Sequence, residues 1–173
     1  MATIETTYRG ELRTEATHVQ SATKIITDAP VDNQGKGEAF SPTDLLAASL
    51  ASCMLTIMGI KARGSEIDID NTSCSITKIM GADPRRVSEI VISFKFPKKY
   101  TEKEQQLLER SALTCPVYLS LHPDLKKTVD FGWWSWGESR KLKAESKKKL
   151  LAFSFQLLKQ VRWKLKAKSK KSF

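Results

Sequence analysis

The stretch that most constrains this chain is SPTDLLAASLASCMLTIMGIKA, residues 41–62. Ser41 suits a helix N-cap, Pro42 suits the first helical position, and Asp44 falls three residues after the cap, the spacing of a capping box. Leu46, Leu50, Cys53, Ile57 and Ile60 follow at spacings of three and four, which predicts one apolar stripe with Cys53 on it. Lys61 and Arg63 suit the negative end of the helix dipole, and Gly64 ends the run. The apolar stretch 45–60 is shorter than the roughly 20 residues that cross a bilayer. Ser49, Ser52 and Thr56 also interrupt it, so a core helix is expected. A long helix with one apolar face must bury that face against another layer.

Strand patterns on both sides supply that layer. TIETTYRG, ELRTEATHV and SATKIITDAP are rich in β-branched and aromatic residues and are punctuated by Gly10 and Pro30. VDNQGKGEAF reads as a loop. Beyond the helix, EIDIDNTSCSITKIM and VSEIVISFKF predict two strands joined by the turn GADPRR. A second helix starts at Thr101, with Glu104 completing another capping box, and stops near Cys115 because Pro116 disfavours helix at the residue before it. PVYLSLHPD reads as a short helical turn and KKTVDFGW as a last strand. The order βββ-α-ββ-α-β predicts an α+β fold, a mostly antiparallel, curled sheet with two long helices.

The charge is divided unevenly. The 173 residues carry a net +10, but residues 139–173 hold thirteen Lys/Arg against one Glu, and the remaining 16 basic and 18 acidic residues leave 1–138 at −2. A domain is therefore expected over 1–134, with a basic amphipathic extension over 135–173. Three readings of that extension stand side by side: a helix that binds anionic membrane or nucleic acid, a helix that packs on the body or on a partner subunit, and a fused segment without a selected role. No nucleic-acid-binding motif accompanies the charge run, so it supports no such partner alone. MATIETTYRG has neither a basic start nor an apolar run, so no secretory leader is expected and the protein is expected in the cytoplasm.

The cysteines carry the chemistry. There are three, Cys53, Cys74 and Cys115, with no CxxC pair and two histidines, which argues against a disulfide framework and against a zinc site. Cys115 precedes a helical turn, where unpaired N–H groups favour thiolate. If the two helices pack side by side, Cys53 and Cys115 can meet and cycle between dithiol and disulfide, one attacking a peroxide and the other resolving the sulfenic acid. The alternative is that all three are small buried hydrophobes.

GKGEAFSPTDLLAASLASCMLTIMGIKA, followed some sixty residues on by CPVYLSLHPD, resembles the OsmC/Ohr family of thiol-dependent peroxide reductases, in its YhfA-like OsmC branch. The resemblance implies an intertwined homodimer with two sites at the subunit interface, and no metal or bound organic cofactor. It implies reduction of an organic or inorganic hydroperoxide in oxidative or osmotic stress defence, with an external thiol as reductant. It makes Cys53 the attacking thiol and Cys115 the resolving one. It also implies an arginine and a glutamate that hold the attacking thiolate. Arg13 is the candidate arginine and Arg9 the runner-up. The family glutamate follows the helix-opening proline, where this chain has Thr43; Asp44 and Glu38 are the nearest carboxylates. A non-catalytic small-molecule-binding or scaffold protein on the same fold is the rival reading, and the missing glutamate favours it.

Overall fold

The computed structural model describes residues 1–133. Six strands and three helices occur in the order β1 (Ile4–Gly10), β2 (Arg13–His18), β3 (Lys24–Asp28), α1 (Pro42–Arg63), β4 (Ser73–Ala82), β5 (Arg85–Lys95), α2 (Glu102–Leu113), α3 (Pro116–Ser120) and β6 (Lys126–Gly132). The α+β class and the predicted element order are those observed. The expected single curled sheet is instead two three-stranded sheets, β1-β2-β3 and β4-β5-β6. The basic extension expected over 135–173 lies outside the described residues.

Both predicted capping boxes form. Ser41 Oγ accepts the Asp44 N–H while Asp44 Oδ2 accepts the Ser41 N–H, and Thr101 and Glu104 make the same reciprocal pair at the start of α2. The body of α1 turns differently from the expected stripe. Its buried residues are Ala47, Leu50, Ala51, Met54, Met58 and Ala62, whereas Ile60 is 64% exposed and Cys53 is half-buried. The small residues Ala47 and Ala51 allow close approach to the second sheet, so packing selected the Ala/Met face over the face with the larger aliphatics. Cys53 therefore sits on the flank of α1. At 22 residues the helix is also longer than the apolar run suggested and passes the length and composition of a membrane span. Its buried face nevertheless meets a protein core, formed with Ile90, Ile92 and Phe94 of β5, Phe96 just beyond it, and Leu108 and Ala112 of α2.

The second sheet pairs β4 with β5 antiparallel and β5 with β6 parallel. Parallel neighbours need a long crossover, and α2 with α3 provides it. That crossover lays α2 and α3 beside α1 and so brings Cys115 towards Cys53. Phe96 stacks on Trp133 at 3.9 Å between ring centroids, and the Trp133 indole N–H donates to Glu109 at 2.7 Å, which ties the end of β6 to α2. The strand expected from residue 66 begins only at Ser73. Asp68 Oδ1 accepts the Asp70 N–H, and Asn71 has a positive φ of 65°, so these polar residues make a turn first.

The first sheet is built differently. Glu11 and Leu12, both with positive φ, close the β1–β2 hairpin. Ile4, Tyr8, Val19, Ile25 and Ile26 are exposed on it, so among the described residues no helix covers its faces. It joins the body through a bridge between Thr27 and Phe40, and the loop after β3 is tied to β5 by the Arg85–Asp32 ion pair.

Candidate functional site

Pro116 stops α2 and restarts the chain as α3, with Cys115 as the residue between them. Its φ and ψ are extended, and its Sγ accepts the Tyr118 N–H at 3.2 Å. Cys115 is fully buried. The Cys53 thiol is near enough to perturb it, and both are free thiols. Burial pushes the Cys115 thiol up; the Tyr118 N–H pulls it down by less, and a negative charge on Cys53 pushes it up further. The helix-terminus expectation for Cys115 is thus reversed. The turn is five residues long, and desolvation outweighs its N–H groups. The two sulfurs differ in the way a two-cysteine cycle needs: Cys53 is half-buried, and Cys115 is enclosed. Cys74, on β4, is half-buried and pushed up by desolvation alone, which fits a packing residue.

The remaining candidates fall in two other clusters. Arg13 lies on β2 directly opposite Asp28 on β3. Its Nη2 donates to Asp28 Oδ2 at 3.3 Å and to Glu38 Oε2. Glu38 is brought there by a loop that folds back on β3. Gly35 allows the fold, because a Cβ on it would lie 1.7 Å from the Ala29 carbonyl oxygen. Asp28 accepts the Glu38 N–H at 2.9 Å, and that bond, with Arg13, holds its carboxyl below the usual carboxylate range despite burial. Among the described residues the polar side-chain partners of Arg13 are these two carboxylates, not the thiols. Arg9 pairs with Glu15 at 2.7 Å on the open sheet, which leaves Arg13 the better candidate.

Asp44 belongs to the third cluster. Besides capping α1, it forms an ion pair with Lys78 at 2.7 Å. Burial pushes Asp44 up, but Lys78 and Ser41 outweigh it and hold the carboxyl below its usual range. Lys78 also donates to Ser41 Oγ at 2.8 Å and to Thr43 Oγ1 at 2.6 Å. Where the family pattern has a glutamate, this chain thus has a threonine hydroxyl bound to a lysine. An open pocket of about 560 Å³, lined by Glu38, Phe40, Asp44, Ala47, Ile76 and Lys78, joins the second and third clusters.

Asp28 and Lys78 were not singled out in the sequence. The signal for Lys78 is the period-2 pattern of β4, which puts a lysine on the inward side with Cys74 and Met80. The signal for Asp28 is the hairpin register, which no local motif announces.

Comparison with known proteins places this geometry. The model of the OsmC-like protein family matches residues 35–130. A protein from Psychrobacter arcticus, named for osmotic stress induction and a detoxification response, is 61% identical over 76% of this chain and 96% of its own, with a TM-score of 0.74. An organic hydroperoxide resistance protein OsmC from Legionella pneumophila is 16% identical over 76% of this chain and 97% of its own, with a TM-score of 0.61. An organic hydroperoxide resistance protein from Elizabethkingia anophelis is 16% identical over 78% of this chain and 98% of its own, with a TM-score of 0.60. At that identity the last two show a shared fold. No curated protein matches the chain.

Proposed function

The chain belongs to the OsmC-like protein family, and from that premise we propose that it is a thiol-dependent peroxide reductase that uses Cys53 and Cys115. The observation that carries the reading is the adjacency of a half-buried Cys53 and a fully buried Cys115. The Cys53 thiolate attacks one oxygen of a hydroperoxide ROOH. The O–O bond breaks, the other oxygen leaves as ROH after taking a proton, and Cys53 becomes a sulfenic acid. Cys115 then attacks that sulfur, water leaves, and a disulfide forms; an external thiol returns both sulfurs to the reduced state by exchange. The electrostatics support this order. A charge on Cys53 disfavours a charge on Cys115, and conversion of that thiolate to a neutral sulfenic acid removes the repulsion. Cys115 thus becomes easier to ionise when it is needed.

The working form in this reading is a homodimer. The open faces of the first sheet, with Ile4, Tyr8, Ile25 and Ile26 exposed, suit burial against a second copy. Such pairing would present Arg13 of one protomer to the thiol pair of the other, since within one chain its partners are Asp28 and Glu38. The hydroperoxide-resistance names of the Legionella and Elizabethkingia relatives support the substrate class. One observation favours a binding module instead: Thr43, bound to Lys78, leaves no carboxylate at the family position.

The test is consumption of cumene hydroperoxide by the reduced chain with dithiothreitol in excess. The reading expects turnover that Cys53→Ser abolishes. Cys115→Ser is expected to keep the first equivalent of peroxide reduction and to lose protection against overoxidation. Wild-type consumption no faster than that of Cys53→Ser would favour the binding module.

A further inference from the structure

The Arg13 guanidinium holds two carboxylates of opposite character. The Asp28 side chain is wholly buried, and that of Glu38 is 60% exposed. Asp28 Oδ2 accepts both from Arg13 Nη2 and from the Glu38 backbone N–H. One buried oxygen therefore ties the guanidinium on β2 to the loop that carries the second carboxylate. Arg13 Nη2 is shared between Asp28 and Glu38.

Among the described residues, two atoms of this cluster are buried and without a hydrogen-bond partner: Arg13 Nε, a donor, and Asp28 Oδ1, an acceptor. They are complementary, and they sit on residues already in contact. A guanidinium fork matches both oxygens of a carboxylate, so a second parallel bond is available to this pair. A buried donor and acceptor left unmade is costly, so closing that second bond would favour the Asp28–Arg13 pairing further.

We infer that Asp28 is the positioning residue of this site: it sets the direction of the Arg13 guanidinium and anchors the Glu38 loop to the same oxygen, without touching substrate or thiol. The inference rests on the proposed function and deepens it. Thr43 stands where the family pattern has its carboxylate and Asp44 is engaged by Lys78, so Asp28 supplies the orienting carboxylate from the neighbouring hairpin. A buried, anchored carboxylate orients a cation better than an exposed one, because it has few rotamers left to lose and little water to compete with.

The test is a double-mutant cycle on the reduced full chain. The quantity read is the rate of Cys53–Cys115 disulfide formation with cumene hydroperoxide, in wild type, Asp28→Asn, Arg13→Ala and the double variant. Asp28→Asn is expected to slow the reaction between about tenfold and a hundredfold, the scale of a small misplacement of a catalytic group. In the Arg13→Ala background the same change is expected to cost less than about twofold, because a residue that acts through another adds nothing once that other is gone. Added guanidinium ion is expected to restore rate to Arg13→Ala and not to the double variant. If Asp28→Asn does not fold, Asp28→Ser takes its place in the cycle.

An Asp28 variant as fast as wild type overturns the inference. So does an equal fold loss in both backgrounds, which a merely structural role would give. Failure of the proposed function itself looks different, since wild type would then form no disulfide.

Discussion

The start of α1 is the point where the scaffold and the candidate site share atoms, and Ser41→Ala tests both. Ser41 is 1% exposed. Its Oγ accepts the Asp44 N–H at 3.1 Å and a Lys78 ammonium N–H at 2.8 Å, and it donates to Asp44 Oδ2 at 2.7 Å. Loss of an N-cap side chain costs about 1 kcal/mol on average, with a range of roughly 0.5–2. A hydrogen bond to a charged group adds about 1.5–3 kcal/mol when its partner is left unpaired. Lys78 is not left unpaired, because Thr43 and Asp44 keep it, so only a fraction of that second contribution applies. The expected loss is about 2 kcal/mol, equivalent to a Tm lower by roughly 4–8 °C in a chain of this size. Urea unfolding followed by circular dichroism, at one fixed protein concentration, measures it. Ser41→Thr, which keeps a hydroxyl able both to accept from the Asp44 N–H and to donate to its carboxylate, is expected to recover at least half of the loss. A destabilisation below about 0.5 kcal/mol, the bottom of the N-cap range, would refute the reasoning.

The other predictions concern charge, thiols and assembly. The Asp44 carboxyl is depressed in the folded chain, so its stabilisation is present above its unfolded value near 3.8 and is lost as pH falls through the folded value. Between about pH 5 and pH 2 wild type should therefore lose stability more steeply than Asp44→Asn in urea titrations, and equal slopes would contradict this. Because Cys115 is enclosed and pushed up, iodoacetamide at neutral pH should label Cys53 well before Cys115 in the native protein, as read by mass spectrometry; the reverse order would contradict the geometry. If the proposed dimer forms through the first sheet, Ile26→Lys on its exposed face gives a monomer in analytical ultracentrifugation where wild type is a dimer, and lowers any peroxide turnover with it. An unchanged dimer with that substitution would place the interface elsewhere.

Much of the scaffold was legible because its signals are local. Ser41 with Asp44 and Thr101 with Glu104 announce helix starts within four residues, and Pro116 announces a break. The placement of Cys53 was harder. The aliphatic stripe and the Ala/Met stripe of α1 have the same period, and only the closeness of the second sheet decides between them. The division into two sheets was hidden for a related reason, since strand patterns state that a strand exists and not which strand it pairs with. The meeting of Cys53 and Cys115 depends on the crossover between β5 and β6, which spans α2 and α3. Arg13, Glu38 and Asp44 were each found as residues. Their grouping came from the structure, because Asp28 reaches Arg13 through hairpin register and Lys78 reaches Asp44 from a distant strand.

Cys53 and Cys115 are proposed to act as one redox pair. One equivalent of cumene hydroperoxide added to the reduced protein, followed by quenching and cysteine mapping by mass spectrometry, tests it most directly. A Cys53–Cys115 disulfide is expected to form rapidly, with Cys74 left free and with no disulfide in Cys53→Ser. Three unchanged free thiols after the peroxide challenge would contradict it.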